Sequence, residues 1–486
     1  MTVAAVGDLN HGIELSGGYL YASTPSTVYR WSYDIGQAYP SEAAEEVIVA
    51  MDRTASGELG APGGHTTRTL AFDPDGRWLY VSIGSLGNVD ADSHRARIRR
   101  FDVASWGASF APRIPLYFND GEDFADGLRN EVGLAFDSYG VLWGVENGAD
   151  NLYRDDLGGD IHDDNPGEEL NRFREDDAGR HWGYPYCWSE YCLPVASGGS
   201  GAKGAGTVWA WPSFLNSTTH GDADEAIITD DWCRANTIPS VLSMPSHSAP
   251  LGIAFYGWRD ASSLLDSGCV GGFPRAMDGF AFVAYHGSWN RDPPTGYKVV
   301  FVPFDADTGD PIIGQQPIDL FRHDGESAAW PESYPIRPVD VQFDGCGRLL
   351  VTEDGTGSVI LVTYGGGYED GYYAPIDTDV ADGPSCTEFR DEGTNVPSGI
   401  PGVPPPPTEL PIEAPSVPSP SSSSQGPNVP SEIPISFLDT LVADPPTTVS
   451  PPKLLDPPSS SGSFTLYSLH MLVIARMLFL CAVYAF

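Results

Sequence analysis

The sequence predicts an all-β fold, a six-bladed β-propeller whose first blade is incomplete or missing from this chain. Three observations carry that reading. A strand–turn–strand unit recurs at roughly forty residues or more, the spacing of propeller blades. A further β-rich strand usually follows each unit. Long helical periodicity is absent, while 55 Gly and 43 Pro in 486 residues punctuate the chain with turns.

The units follow in order. His11–Leu15 with Tyr19–Ala22 is the first visible copy, and Thr69–Asp73, a Pro-Asp-Gly turn and Trp78–Ser82 form the second. The third, GLRNEVGLAFDSYGVLWGVENGAD from Gly127 to Asp150, places strands at Val132–Phe136 and Val141–Val145 around a turn ending at Gly140. Leu251–Phe255 and Gly279–Tyr285, split by a long insertion, make the fourth; Val339–Phe343, a Gly-Cys-Gly turn and Leu349–Thr352 make the fifth. Arg97–Phe101, Tyr297–Phe301 and Val359–Thr363 read as third strands. Five copies are visible where such rings commonly use six, and the first begins almost at Met1. The amino-terminal blade is therefore expected to be missing.

Charge and composition bound the function. Twenty-six Lys+Arg face 66 Asp+Glu, a formal charge of −40 that argues against nucleic acid or an anionic membrane surface as partner. The propeller is expected over 1–390. Residues 391–463 turn to Pro, Ser and Thr (PGVPPPP, SPSSSSQ, DPPSSSGS) and read as a disordered linker. Residues 464–486 are an apolar tail interrupted by His470 and Arg476, read as a glycosylphosphatidylinositol signal or a membrane anchor. Six of the seven Cys precede the tail, as in a secreted domain. Cys187–Cys192, Cys233–Cys269 and Cys346–Cys386 are the simplest of fifteen connectivities. Asn216-Ser-Thr is a glycosylation sequon, so an extracellular location is expected.

Chemistry-bearing residues fall at predicted strand ends. His65 precedes the second unit, and Arg129-Asn130 precedes the third. Gly148-Ala149-Asp150 follows its second strand. His286-Gly-Ser-Trp289-Asn-Arg291 follows a strand of the fourth, and Lys298 lies on the next one. Strand ends from several blades meet at one channel mouth, so cations, an amide and free backbone carbonyls gather there. That combination suits an anionic cofactor with a metal. The acidic run from Asp155-Asp156 to Glu168-Glu169 reads either as a second, structural Ca²⁺ site or as a solvated loop.

Several phrases resemble the sorbosone dehydrogenase-like, pyrroloquinoline quinone (PQQ)-dependent sugar dehydrogenases, above all the fungal pyranose dehydrogenases of the auxiliary-activity class. They are GLRNEVGLAF, VENGADNL, NPGEELNRF, HWGYPYCW, HSAPLGIAFY, AYHGSWNRDPPTGYKVVFVPF and RPVDVQFD, spread from about Asn10 to Tyr364. The resemblance implies a six-bladed propeller with PQQ and Ca²⁺ in its channel, oxidising a sugar hydroxyl. It places His65 as catalytic base, Arg129 and Asn130 on the cofactor, and the carbonyls of Gly148 and Ala149, with Asp150 beside them, at the metal. His286, Trp289, Arg291 and Lys298 are expected as further cofactor contacts. The partners it implies are a sugar and an electron acceptor, a cytochrome b domain or another. The family's first blade supplies an Arg whose segment this chain lacks, as it lacks the upstream cytochrome module. A Ca²⁺-dependent lactonase-type propeller and a non-catalytic carbohydrate-binding propeller stay open as alternatives.

Overall fold

In the computed structural model, the described residues are 6–364, with gaps at 36–42, 53–63, 92–94, 110–111, 194–202, 219–225, 259–270, 313–315 and 323–335, together with the strand Ile435–Phe437. The expected tail and most of the expected linker lie outside them. Among the described residues, five sheets, antiparallel except for one parallel edge pair in each of the first two, form five consecutive blades. Their inner strands are Ile13–Ser16, Leu70–Phe72, Glu131–Phe136, Pro250–Phe255 and Pro338–Phe343. Second strands are Tyr19–Ser23, Trp78–Ile83, Leu142–Glu146, Ala281–Tyr285 and Leu349–Glu353. Third strands are Val28–Ser32, Arg97–Asp102, Glu168–Phe173, Lys298–Val302 and Ser358–Tyr364. Outer strands close each blade, and Ile435–Phe437, inside the stretch read as a linker, pairs with the third strand of the fifth.

The turn between inner and second strands is one device used three times. Asp73, Asp137 and Asp344 each accept, through Oδ1, the backbone N–H four residues on, at 2.7, 2.9 and 3.0 Å. An Asp that hydrogen-bonds its own turn fixes the reversal locally, before any long-range contact forms.

Adjacent blades are sealed by aromatic pairs. Phe72, Phe136, Phe255 and Phe343 end their inner strands, as Leu-Ala-Phe, Leu-Ala-Phe, Ile-Ala-Phe and Val-Gln-Phe. Each meets a second-strand aromatic of the preceding blade: Tyr21–Phe72 at 4.9 Å, Tyr80–Phe136 at 5.4 Å, Trp143–Phe255 at 6.2 Å and Phe282–Phe343 at 5.0 Å. Each such pair adds about 0.5–1.5 kcal/mol beyond the area it buries. Residues of all five inner strands line one central cleft, plugged by the buried Val132, Leu251 and Val339. Gly133 is required there, since a Cβ would stand 2.9 Å from the Leu251 carbonyl oxygen of the next blade.

The insertion between the third blade's third and outer strands carries its own core, with Trp188, Trp209 and Trp211 packed with Ala149 and Leu152 of the loop after the second strand. A Cys187–Cys233 disulfide staples it. This corrects two of the pairings expected from proximity in sequence, Cys187–Cys192 and Cys233–Cys269, since Cys187 bonds a cysteine 46 residues away; the expected Cys346–Cys386 pair involves a residue outside the described ones. Cys192 and Cys346 are disulfide-bonded as well. Asn216 of the sequon is exposed.

Candidate active site at the channel mouth

Inner strands leave one mouth of the cleft and second strands return to it, so the segments flanking them meet there. The N–H of Ser85, after the second blade's second strand, donates to the Arg129 carbonyl at 2.8 Å. Asn147 Nδ2 reaches the Pro250 carbonyl of the fourth blade at 2.8 Å.

His65 lies on the way into the second blade's inner strand. Its Nδ1 stands 3.0 Å from the Ser85 carbonyl oxygen and 3.1 Å from Ser85 Oγ. A carbonyl only accepts, so Nδ1 carries the proton and Nε2 keeps its lone pair. Burial first, and then the positive charge of Arg129, push the imidazole down to about 3. The ring is thus neutral across the physiological range. Gly84 makes this approach possible, because a Cβ there would lie 2.5 Å from Asn130 Oδ1 and 2.7 Å from His65 Cβ. The buried Arg68, which the sequence reading passed over, holds the His65 and Thr67 carbonyls at 2.8 Å each.

Arg129 and Asn130 are buried at the start of the third blade. Arg129 Nη2 binds Asp150 Oδ2 at 2.9 Å and Asn88 Oδ1 at 3.1 Å, and its Nη1 reaches the Asn147 carbonyl at 3.2 Å. The carboxylate of Asp150, expected near a metal, is therefore the charge partner of Arg129. Its carbonyl also has a partner, Asn88 Nδ2 at 2.7 Å. That leaves the carbonyls of Gly148 and Ala149, which accept no hydrogen bond among the described residues, and the Asn130 side chain, which makes none. Two hard oxygens, an amide, a guanidinium and an imidazole lone pair fit an anionic cofactor bridged by a Ca²⁺-like cation.

Carboxyls brace the site from below. Glu131, Glu146 and Glu169 are neighbours across three strands, and the first two share the amide of Asn171 at 3.2 and 3.1 Å. Burial pushes all three upward, and carboxylate repulsion adds to it for Glu131 and Glu146, whereas hydrogen bonds from Ser189, Asn171 and Glu146 oppose it at Glu169. Glu168 accepts the Gly148 N–H at 2.7 Å and the Ala249 N–H at 3.2 Å, and burial lifts it to about 7. His247 is a further residue the sequence reading missed. It precedes the fourth inner strand as His65 precedes the second, and its Nδ1 lies 3.7 Å from Asp150 Oδ1.

The remaining expected residues reach the same end of the fold but have other partners. His286 Nε2 faces both Asp354 oxygens at 3.0 Å, and its Nδ1 accepts from Arg337 at 2.9 Å, so neither nitrogen is left for a proton transfer. Arg291 is held by Asp164 at 2.8 Å and the Asp163 carbonyl at 2.5 Å. Lys298 is ion-paired with Asp319 at 2.8 Å, within its own blade. Trp289 stands 66 % exposed on the rim. In the acidic run, Asp156 pairs with Arg154 at 2.6 Å. Among the described residues no group of three or more His, Cys, Asp or Glu is arranged to hold a metal.

A family model described as TrAA12-like matches residues 1–365. The chain belongs to this family. A Hypocrea jecorina protein named pyrroloquinoline quinone-dependent sugar dehydrogenase is 29 % identical over 388 residues, covering 74 % of this chain and 75 % of that one. A Coprinopsis cinerea protein named pyrroloquinoline quinone-dependent pyranose dehydrogenase is 28 % identical over 382 residues, 73 % of this chain but 46 % of that protein. The chain thus spans less than half of that relative. Among solved structures, a calcium structure of the Trichoderma reesei family AA12 enzyme aligns with TM-score 0.59 at 29 % identity, covering 74 % of this chain and 82 % of that one. The holo pyranose dehydrogenase PQQ domain of C. cinerea aligns with TM-score 0.56 at 27 % identity, covering 72 % and 81 %.

Proposed function

We propose that this chain is the catalytic propeller of a quinoprotein that oxidises a hydroxyl of a pyranose or aldose sugar, using PQQ and Ca²⁺, and hands the electrons to a cytochrome or another acceptor. The observation that supports it best is the His65 ring: its proton sits on Nδ1 against Ser85, its Nε2 keeps a lone pair, and it lies close enough to Arg129 for that charge to lower its basicity. Bound PQQ would supply a two-electron acceptor for the sugar's hydride, with its quinone oxygen polarised by the cation. His65 Nε2 takes the hydroxyl proton. Arg129 offers charge to the cofactor's carboxylates, and such a ligand would relieve the part of the His65 lowering that comes from Arg129, while the larger part, from burial, would remain. The Gly148 and Ala149 carbonyls would hold the cation without adding negative charge to a chain of formal charge −40.

Six blades in the complete ring, and an extracellular place for the protein, belong to the same proposal. Disulfides and an exposed Asn216 sequon support the second. The lactonase-type alternative would need side-chain carboxylates around the metal, whereas Asp150 is bound to Arg129. The test is spectroscopic: PQQ added with Ca²⁺ should give a stoichiometric bound-quinone absorbance that bleaches on adding a pyranose. Absence of bound quinone at micromolar PQQ and millimolar Ca²⁺ would overturn the reading.

A further inference from the structure

We infer that Asn88 is the positioning residue that aims the Gly148 and Ala149 carbonyls, a role resting on the reading of those two oxygens as cation ligands. In the loop 147–150, all but three backbone N–H and C=O groups are hydrogen-bonded among the described residues. The Asn147 N–H donates to the Asn130 carbonyl at 3.1 Å, and the Asn147 carbonyl accepts from Arg129 Nη1 at 3.2 Å. The Gly148 N–H goes to Glu168 at 2.7 Å. At the far end, Asp150 donates its N–H to Asn88 Oδ1 and accepts Asn88 Nδ2 at its carbonyl, both at 2.7 Å. Only the Gly148 carbonyl and the two backbone groups of Ala149 have no hydrogen-bond partner among the described residues.

The loop is therefore pinned on both sides of the two oxygens and on neither oxygen itself. One side is fixed from within the third blade, by Glu168 and Arg129. At the other, where the Asp150 side chain is held by Arg129, the backbone is fixed from the second blade by Asn88, whose amide reads the N–H and C=O of Asp150 as a neighbouring strand would. Asn suits this because its amide offers an acceptor and a donor on one planar head, a pairing that an Asp carboxylate lacks. Asn88 also touches the charge at the site. Its Oδ1 accepts from Arg129 Nη2 at 3.1 Å, and its backbone carbonyl accepts from Arg129 Nε at 3.3 Å and from Tyr184 Oη at 3.2 Å. One residue of the second blade thus sets the relative place of the guanidinium and the carbonyl pair.

The test is calorimetric titration of Ca²⁺ into wild type and Asn88→Ala, each saturated with PQQ, with melting temperatures measured on the ligand-free proteins. Losing two hydrogen bonds that orient ligand atoms should weaken Ca²⁺ about tenfold or more. Excess Ca²⁺ should restore turnover to the wild-type kcat, which a variant with a damaged fold would not reach. An unchanged Ca²⁺ affinity in Asn88→Ala, with wild type binding normally, overturns the role of Asn88 alone. Wild type that binds PQQ but no Ca²⁺ removes the cation reading, and this proposal with it. Amide hydrogen exchange on ligand-free wild type gives a check independent of the variant's folding. The Asp150 amide should be protected and the Ala149 amide fast, and a fast Asp150 amide overturns the assignment.

Discussion

The two sides of the channel mouth start from the same sequence signal, a titratable or cationic residue at a strand end, and finish differently. On the side of the second and third blades, His65 keeps one nitrogen without a proton, Asn130 keeps its amide, and two carbonyls keep their lone pairs. On the side of the fourth and fifth, His286 is held at both nitrogens by Asp354 and Arg337, while Arg291 and Lys298 are held by Asp164 and Asp319. One side is charged and open to a ligand. The other is charged and closed on itself, and its charges hold blades and loops together. Every one of these cations has a carboxylate partner, Arg129 with Asp150 included, so the two sides differ in the imidazole nitrogen, the amide and the two carbonyls that stay unclaimed beside Arg129.

The largest effect should come from opening the closed side. Asp354→Ala would strip His286 and Arg337 of a shared, buried partner, so about 2–4 kcal/mol of stability should be lost. Thermal or urea unfolding would show it, whereas PQQ affinity per folded molecule should change little. Next is the open side: Arg129→Ala removes a charge-assisted contact of about 1.5–3 kcal/mol, so PQQ should bind roughly ten- to a hundredfold more weakly. Lys298→Met, in a titration run beside it, should stay within about twofold, because its ammonium belongs to Asp319. Similar losses in both would erase the distinction between the sides.

The smallest effect lies beneath the open side and depends on pH. Glu131, Glu146 and Glu169 have folded pKa values raised by burial. A raised carboxyl favours the protonated fold, so this contribution is whole below about 4.5 and is lost as pH climbs through the raised values. Glu131→Gln, which cannot ionise, should therefore gain on wild type as pH rises from 5 to 8 in chelator-treated protein. A melting-temperature difference that stays flat with pH would mean that Glu131 does not ionise in that range.

Much of the fold was legible because its determinants are local. The Asp-x-x-Gly turns and the inner strands ending in Phe are each complete within a few residues, and every expected unit formed a sheet. His65, Arg129-Asn130 and Gly148-Ala149 could be singled out for a related reason: they stand next to strands whose direction the repeat sets. Asn88 was not, since its partner Asp150 is 62 residues away and SLGNVD carries no motif. It does follow the second blade's second strand, as Gly148-Ala149 follow the third's, so comparing strand ends between blades would have raised it. The partners of His286 were not legible because His286 and Asp354 are 68 residues apart. The Cys187–Cys233 bond was misread because it crosses an insertion that folds around its own tryptophans.

The central claim is that the open side carries the chemistry, and His65→Ala measured beside His286→Ala tests it most directly. Sugar oxidation would be followed at saturating PQQ and Ca²⁺, with melting curves on both variants. His65→Ala should bind PQQ nearly as wild type does yet turn over roughly a hundredfold or more slowly, the usual worth of a positioned base. His286→Ala should melt earlier and keep its turnover per folded molecule. Full turnover in His65→Ala, with the loss appearing in His286→Ala instead, would contradict the account.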